Sequence, residues 1–176
     1  MAREATATLD MAAGPGAGEG AQFCTFRVAD LLVGIDVQRV QEVIRFQEMT
    51  PVPLASEEVR GLINLRGQIV TAIDLRHTLG LPGRGEDAEP PMNAVIRCDE
   101  EAVSLLVDEA GDVVEPPEQD FEPIPSIVPA QLRALSSGAY KLDGTLLLVL
   151  DAERIIRNDP ESPAAAAARP TRSHHQ

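Results

Sequence analysis

The stretch Val59-Arg-Gly-Leu-Ile-Asn-Leu-Arg-Gly-Gln-Ile-Val-Thr-Ala-Ile-Asp-Leu-Arg76 decides how the rest of the chain is read. Its two apolar runs, residues 62–65 and 69–73, are short and rich in branched side chains, which predicts two buried strands joined around Arg66-Gly67. Asp74 then stands where it can cap a short helix over 75–79, and Gly80 ends that helix. Asn64 to Gly67 fall at the junction of the strands, so the Arg66 guanidinium cannot be core. Its planar fork suits a bidentate contact with a carboxylate. The residues alone leave two readings open: an ion pair with one of this chain's own acids, or a carboxylate on a partner.

On the N-terminal side, Cys24, Phe26 and Val28 alternate with Thr25 and Arg27 over 22–29, the two-residue period of a half-buried strand. Residues 31–35 read as its hairpin partner, turned at Ala29-Asp30. Asp36 can cap a short helix in which Val37, Val40 and Val43/Ile44 fall at helical spacing. Residues 45–50 are expected to be extended up to the Pro51-Val52-Pro53 break, and Ser56 to cap a single turn before Val59. On the C-terminal side, 94–98 and 103–107 predict a hairpin around the acidic turn 99–101. Val113 and Val114 form a short strand stopped by Pro116-Pro117. Residues 139–142 and 146–150 flank Asp143-Gly144, the strongest two-residue hairpin signal in the chain. Asp151 caps a last helix through Ile155 and Ile156.

About ten short strands with a few one- or two-turn helices predict a mainly β fold made of two small barrels rather than a βαβ sheet. The Gly-, Pro- and acid-rich loop 81–91 is expected to divide the folded region, 21–158, into two subdomains. Residues 1–20 read as a disordered leader rich in Ala and Gly. Residues 159–176, with an alanine run between Pro163 and Pro170, read as a disordered tail.

Composition narrows the function. Hydrophobic residues make up 44% of the 176, enough for a core, yet aromatic residues are only 3%, with no Trp and one Tyr. With 15 basic against 28 acidic residues the formal charge is −13. Such a surface repels phosphate backbones and anionic lipid, and it lacks stacking platforms, which argues against nucleic-acid and direct membrane binding. No apolar run approaches the roughly 20 residues of a membrane span, and residues 1–20 do not read as a signal peptide. Cys24 and Cys98 sit in apolar runs and read as buried small hydrophobes in a reducing compartment rather than as a disulfide. The expected location is therefore the cytoplasm.

The remaining motifs have bland readings. Gly14-Pro-Gly-Ala-Gly-Glu-Gly20 has no strand before it, and Pro15 removes an amide that a phosphate cradle needs. His77 is isolated, and His174 and His175 lie in the tail, so no zinc or catalytic cluster can be assembled. The acids Asp108, Glu109, Asp112, Glu115, Glu118, Asp120 and Glu122 do not match calcium-loop spacing and read as a solvated face. Ser136-Ser137 lacks the nucleophile-elbow pattern. No cofactor, metal or catalytic residue is expected.

The opening stretch also resembles the hallmark of the CheW-like domain family, a Gly-x-x-Asn-Leu-Arg-Gly turn, a strand, then Ile-Asp-Leu-Arg. Gly34-Ile-Asp followed by Arg39-Val-Gln-Glu-Val-Ile resembles the family's first hairpin and helix. Leu106-Val-Asp-Glu-Ala-Gly-Asp-Val-Val and Gly138-Ala-Tyr-Lys-Leu-Asp-Gly-Thr-Leu-Leu-Leu-Val-Leu-Asp resemble its second-half strand pair and final hairpin. The likeness covers almost all of residues 22–156. Thr71-Ala72 departs from it, since members commonly carry proline there, and residues 115–129 hold more prolines than the family pattern.

The resemblance implies two intertwined five-stranded barrels of the SH3-like kind, without enzymatic activity. It implies an adaptor that couples the cytoplasmic tip of methyl-accepting chemoreceptors to the regulatory domain of a CheA-type histidine kinase, drawn to the inner face of the membrane through those receptors. By position, Arg66 matches the family's receptor-contact arginine, with Asn64 in the same turn, and Val40 and Glu42 match positions implicated in receptor binding. Val113 and Val114 are the expected kinase-contact residues. A helix-in-groove mode would let Val40 supply apolar area while Arg66 fixes register. Losing a central arginine contact would cost ~2 kcal/mol, a roughly thirtyfold weakening. Two alternatives stand beside this reading: the same fold in a non-flagellar chemosensory pathway, or a small-ligand-binding barrel, which would need a polar cavity lined by core acids.

Overall fold

Eleven strands among the described residues carry the fold, and their order in space differs from their order in sequence. The computed structural model describes residues 20–158. The leader expected over 1–20, Gly20 apart, and the tail over 159–176 lie outside the described residues. The strands are β1 (Phe23–Val28), β2 (Leu31–Asp36), β3 (Val40–Ile44), β4 (Val59–Leu65), β5 (Gln68–Asp74), β6 (Met92–Cys98), β7 (Glu101–Val107), β8 (Glu109–Val114), β9 (Phe121–Glu122), β10 (Ser136–Leu142) and β11 (Thr145–Leu150). The short helices are α1 (Leu75–Thr78), α2 (Ala130–Ala134) and α3 (Ala152–Asn158).

Two sheets result. One has six strands in the order β8-β1-β2-β11-β10-β9, the other five in the order β3-β6-β7-β5-β4. Each contains one parallel pair, β2 with β11 and β5 with β7; the other pairs are antiparallel. The mainly β fold of two small SH3-like units is thus as expected, although neither sheet closes on itself through hydrogen bonds. The five-stranded sheet comes nearest. The chain beyond β3 curls back so that Thr50 pairs with Leu62 of β4, N to O at 2.8 Å in both directions.

The loop 81–91 does not separate the two units. It joins α1 to β6, and the strands on both sides of it, β5 and β6, belong to the same five-stranded sheet. The chain begins in the six-stranded sheet, crosses for β3 to β7, and returns for β8 to β11. A common core follows from this interleaving. Phe26, Val28, Val33 and Ile35 from one sheet meet Ile73, Ala94, Ile96 and Leu105 from the other, with Ile155 and Ile156 of α3 and Leu132 of α2 packed in. Each fully buried Leu, Ile or Phe contributes about 2 kcal/mol of transfer free energy, so neither sheet stands without the other's face.

The helix expected after Asp36 is corrected. Asp36 does cap, its carboxylate accepting from Gln38 N at 2.9 Å, but it caps only a 3₁₀ turn over Val37–Arg39 before β3 begins. A bulge between Val40 and Glu42 breaks the alternation of β3 against β6. That bulge sets the apolar positions at three-residue spacing, which imitates a helix, while the branched Val and Ile keep the backbone extended. Asp74 and Asp151 cap as expected, accepting from Arg76 N and Arg154 N at the starts of α1 and α3, and Gly80, with φ +74°, follows the end of α1; at Ser56 the turn is closed by its backbone carbonyl, which accepts from Val59 N.

Candidate functional site

The β4–β5 hairpin closes with two central residues, since Leu65 faces Gln68 across it. Both lie in the left-handed region, Arg66 at φ +53° and Gly67 at φ +86°. Such turns match the right-handed twist of the strands and favour Asn-Gly or Gly-Gly; an arginine there is strained by about 1 kcal/mol or more. Asn64 supports the turn, its Oδ1 accepting from Gly67 N at 2.9 Å. The Arg66 side chain is 81% exposed, and its one ion pair among the described residues runs from Nη2 to Glu42 Oε2 at 3.0 Å. Glu42 lies on β3, at the opposite end of the sheet order from β4, so this contact spans the open edge of the five-stranded sheet. The Glu42 side chain is itself only 17% exposed, but the guanidinium end of the pair lies in solvent, so the pair is worth about 1 kcal/mol and the arginine remains open to another carboxylate.

Gly61 sets the geometry beneath this turn. A Cβ there would lie 2.6 Å from the Thr50 carbonyl oxygen and 3.0 Å from Met49 Cβ, and its φ is +153°. Only glycine lets the returning segment approach closely enough to pair with Leu62. The same segment is held from the other side by the fully buried Asn93, whose Oδ1 accepts from Gln47 N at 3.1 Å while its Nδ2 donates to Ser104 Oγ at 2.9 Å.

The expected receptor residues therefore divide. Arg66, Glu42 and Asn64 come together at one edge, two as an exposed ion pair and one as the brace of the turn. Val40 is half-buried, on the neighbouring part of β3, and packs against the common core. Val113 and Val114 lie elsewhere, on β8, an outer strand of the six-stranded sheet. Val113 is exposed, whereas Val114 packs toward a second cluster containing Phe23, Tyr140 and Leu147.

A polar cluster that the sequence reading missed sits where the hairpin motif meets the second half of the chain. Asp108 was expected on a solvated acidic face. Instead it receives Arg76 through Nε (3.0 Å) and Nη2 (2.6 Å), Arg84 through Nη2 (2.9 Å), and the backbone N–H of Ala29 (2.7 Å). Burial pushes the Asp108 carboxyl up, but the hydrogen bonds from Arg76 and Ala29 and the charge of Arg84 outweigh it and hold it below its ordinary range. The hydrogen bond to Asp108 in turn raises the Arg76 guanidinium. Asp74, buried, caps α1 and also pairs with Arg84 (3.2 Å) and Arg60 (3.3 Å). The Ile-Asp-Leu-Arg motif thus ties β5 to β7 and to the β1–β2 turn, where Ala29 is held at φ +54°. No local pattern in a run of acids marks which one is clamped.

Among the described residues no group of three His, Cys, Asp or Glu is placed to hold a metal ion. A cavity of about 250 Å³ is lined by Phe23, Arg39, Tyr140 and the acids Asp36, Asp151 and Glu153. Those acids have structural work: Asp36 and Asp151 accept backbone N–H groups at helix starts, and Glu153 pairs with Arg157. Cys24 and Cys98 are free thiols. Burial, with a smaller push from the charge of Asp36, raises the Cys24 thiol to about 11.

Comparison with known proteins places this architecture. Residues 22–159 match the model of the CheW-like domain. The chain is 31% identical over 147 residues to the chemotaxis protein CheW of Bacillus subtilis, covering 84% of this chain and 92% of that one. It is 27% identical over 148 residues to CheW of Rhizobium meliloti, covering 82% and 93%. Its structure superposes on the crystal structure of the scaffolding protein TtCheW from Thermoanaerobacter tengcongensis with a TM-score of 0.67 and 28% identity, over 75% of this chain and 89% of that one. With the strand order, the Asn64-to-Gly67 turn and these likenesses together, the chain belongs to the CheW-like domain family.

Proposed function

We propose that this chain is a non-catalytic chemotaxis adaptor that couples methyl-accepting chemoreceptors to a CheA-type histidine kinase. The observation that carries the reading is Arg66. The fold keeps a non-glycine residue in a left-handed turn, braces it with Asn64, and leaves its guanidinium 81% exposed beside one exchangeable carboxylate. Strain maintained at an exposed, charged position is the mark of a contact residue rather than of a packing residue. The names of the relatives, chemotaxis protein and scaffolding protein, support the same role.

In this reading a carboxylate on the receptor tip displaces or shares Glu42, and the rigid fork of Arg66 sets the register of docking. Asn64 positions the turn, and Val40 contributes its half-buried apolar surface. The exposed Val113 on the outer strand β8, with Val114 behind it, faces the regulatory domain of the kinase. Among the described residues no helix is long and apolar enough to cross a membrane. In this reading the receptors recruit the chain to the cytoplasmic face of the membrane. The role is tested by reconstituting kinase autophosphorylation on receptor-bearing vesicles. Activation that depends on adding this chain supports the proposal, and kinase activity indifferent to it would overturn it.

A further inference from the structure

A second arginine stands at the same edge of the five-stranded sheet and has no part in the contacts described so far. Arg97, near the end of β6, donates from Nε to Gln41 Oε1 at 2.7 Å, from Nη2 to Gln68 Oε1 at 3.0 Å, and from Nη1 to the Glu100 carbonyl at 3.4 Å. Gln41 precedes Glu42 on β3, and Gln68 follows Gly67 at the start of β5. The two arginines therefore bridge the same pair of chain segments, Arg66 through Glu42 and Arg97 through the residues beside them.

Their electrostatic situations differ. Every acceptor of Arg97 is neutral, and among the described residues it makes no ion pair. No carboxylate is paired with it directly, although Asp99, Glu100 and Glu101 follow it in the chain, and its orientation is fixed from three sides. A guanidinium has five N–H donors. Three are used, which leaves one on each terminal nitrogen for an incoming acceptor. A carboxylate arriving at Arg97 breaks no ion pair and immobilises a side chain that is already held, so little of the interaction is offset by ordering. At Arg66 the same carboxylate must compete with Glu42.

We infer that Arg97 is a second contact of the site centred on Arg66, and that the partner's docking surface presents two carboxylates, one to each arginine. The inference rests on the receptor reading above and sharpens it: the partner is an acidic helical surface, and Arg97 reads the second acid. Gln41 and Gln68 are positioning residues that aim the guanidinium.

The test is binding of the full chain to a soluble receptor cytoplasmic fragment at low and moderate salt, for wild type, Arg97→Glu, Arg97→Met, Arg97→Lys and Arg66→Glu. Thermal midpoint and kinase binding serve as controls. Arg97→Glu should weaken receptor binding by about tenfold or more and Arg97→Met by roughly threefold to tenfold, with a shallower salt dependence. Arg97→Lys should stay near wild type, because the charge remains. Kinase binding should not change. Receptor binding by Arg97→Glu equal to wild type, while Arg66→Glu loses it, overturns the inference and leaves the adaptor role standing. Equal losses in Glu, Met and Lys variants together with a fallen melting midpoint also overturn it, because Arg97 would then only staple the sheet edge. If Arg66→Glu binds as well as wild type, the receptor reading fails and this inference falls with it.

Discussion

Replacing Asp108 by Asn probes the joint between the two sheets without changing side-chain size. The carboxylate accepts from Arg76 twice, from Arg84 once and from Ala29 N, at 2.6 to 3.0 Å. The Arg76 and Arg84 side chains are only 17% and 11% exposed, so neither can turn fully to water once the charge is gone. An amide still accepts on one oxygen, but its NH2 would face a guanidinium. Leaving buried charge unpartnered costs about 3–5 kcal/mol. Because this site is partly open, one acceptor survives on the amide and Arg84 keeps its pair with Asp74, the lower end, about 3 kcal/mol, is the expectation. For a domain of this size that corresponds to a fall of roughly 10 °C in the melting midpoint. The sign of the pH dependence follows from the lowered Asp108 carboxyl. Its stabilisation is complete above the ordinary carboxylate pKa of about 4 and is lost as pH falls through the folded value. Calorimetric melts of both proteins from pH 7 down to pH 3 should therefore show a gap that is wide at neutral pH and narrows below about pH 4. An Asn variant that melts with wild type at pH 7, or a gap that stays constant into acid, would refute the clamp.

Gly61→Ala drives a Cβ to 2.6 Å from the Thr50 carbonyl; it should cost about 3 kcal/mol and show as a lowered denaturation midpoint. Arg66→Asn should leave the melting midpoint within a few degrees of wild type, because losing an exposed ion pair worth about 0–1 kcal/mol is offset by a residue that tolerates positive φ. A large destabilisation there would assign Arg66 to the scaffold instead of the interface. Cys24, with its thiol raised to about 11, should be alkylated at pH 8 at least about tenfold more slowly than free cysteine, read by mass spectrometry of the folded chain.

Hairpins were legible wherever the turn and both strands are adjacent in sequence. Asp143-Gly144 joins β10 to β11 as expected, and Arg66-Gly67 joins β4 to β5. Pairings between distant segments were not. That β1 takes β8 as its second neighbour, or that β2 lies parallel to β11, depends on which sheet faces share a core, and no local period reports that. It is the same reason that the loop 81–91 resembled a boundary. At β3 the difficulty was a bulge, which shifts apolar side chains to a helical interval. The strand β8 is longer than Val113 and Val114 alone because an outer strand can carry Glu109, Gly111 and Asp112 toward solvent.

The exposed arginine of the candidate site was legible because a charged side chain in a two-residue turn has nowhere to be buried. Its ion pair with Glu42 was one of the two readings left open, and the geometry shows that it coexists with exposure. The structural acids were legible only in part: Asp74 shows as a helix cap, but its pairs with Arg84 and Arg60 do not, and Asp108 looks like any other in a chain of 28 acidic residues until the turn at Ala29 and the arginines at 76 and 84 are brought against it.

The adaptor account is tested most directly by co-sedimentation of wild type and Arg66→Glu with a receptor cytoplasmic fragment and, separately, with the partner kinase. The account predicts that wild type binds both, and that Arg66→Glu loses the receptor by about thirtyfold while keeping the kinase. Wild-type protein that binds neither partner would contradict the account.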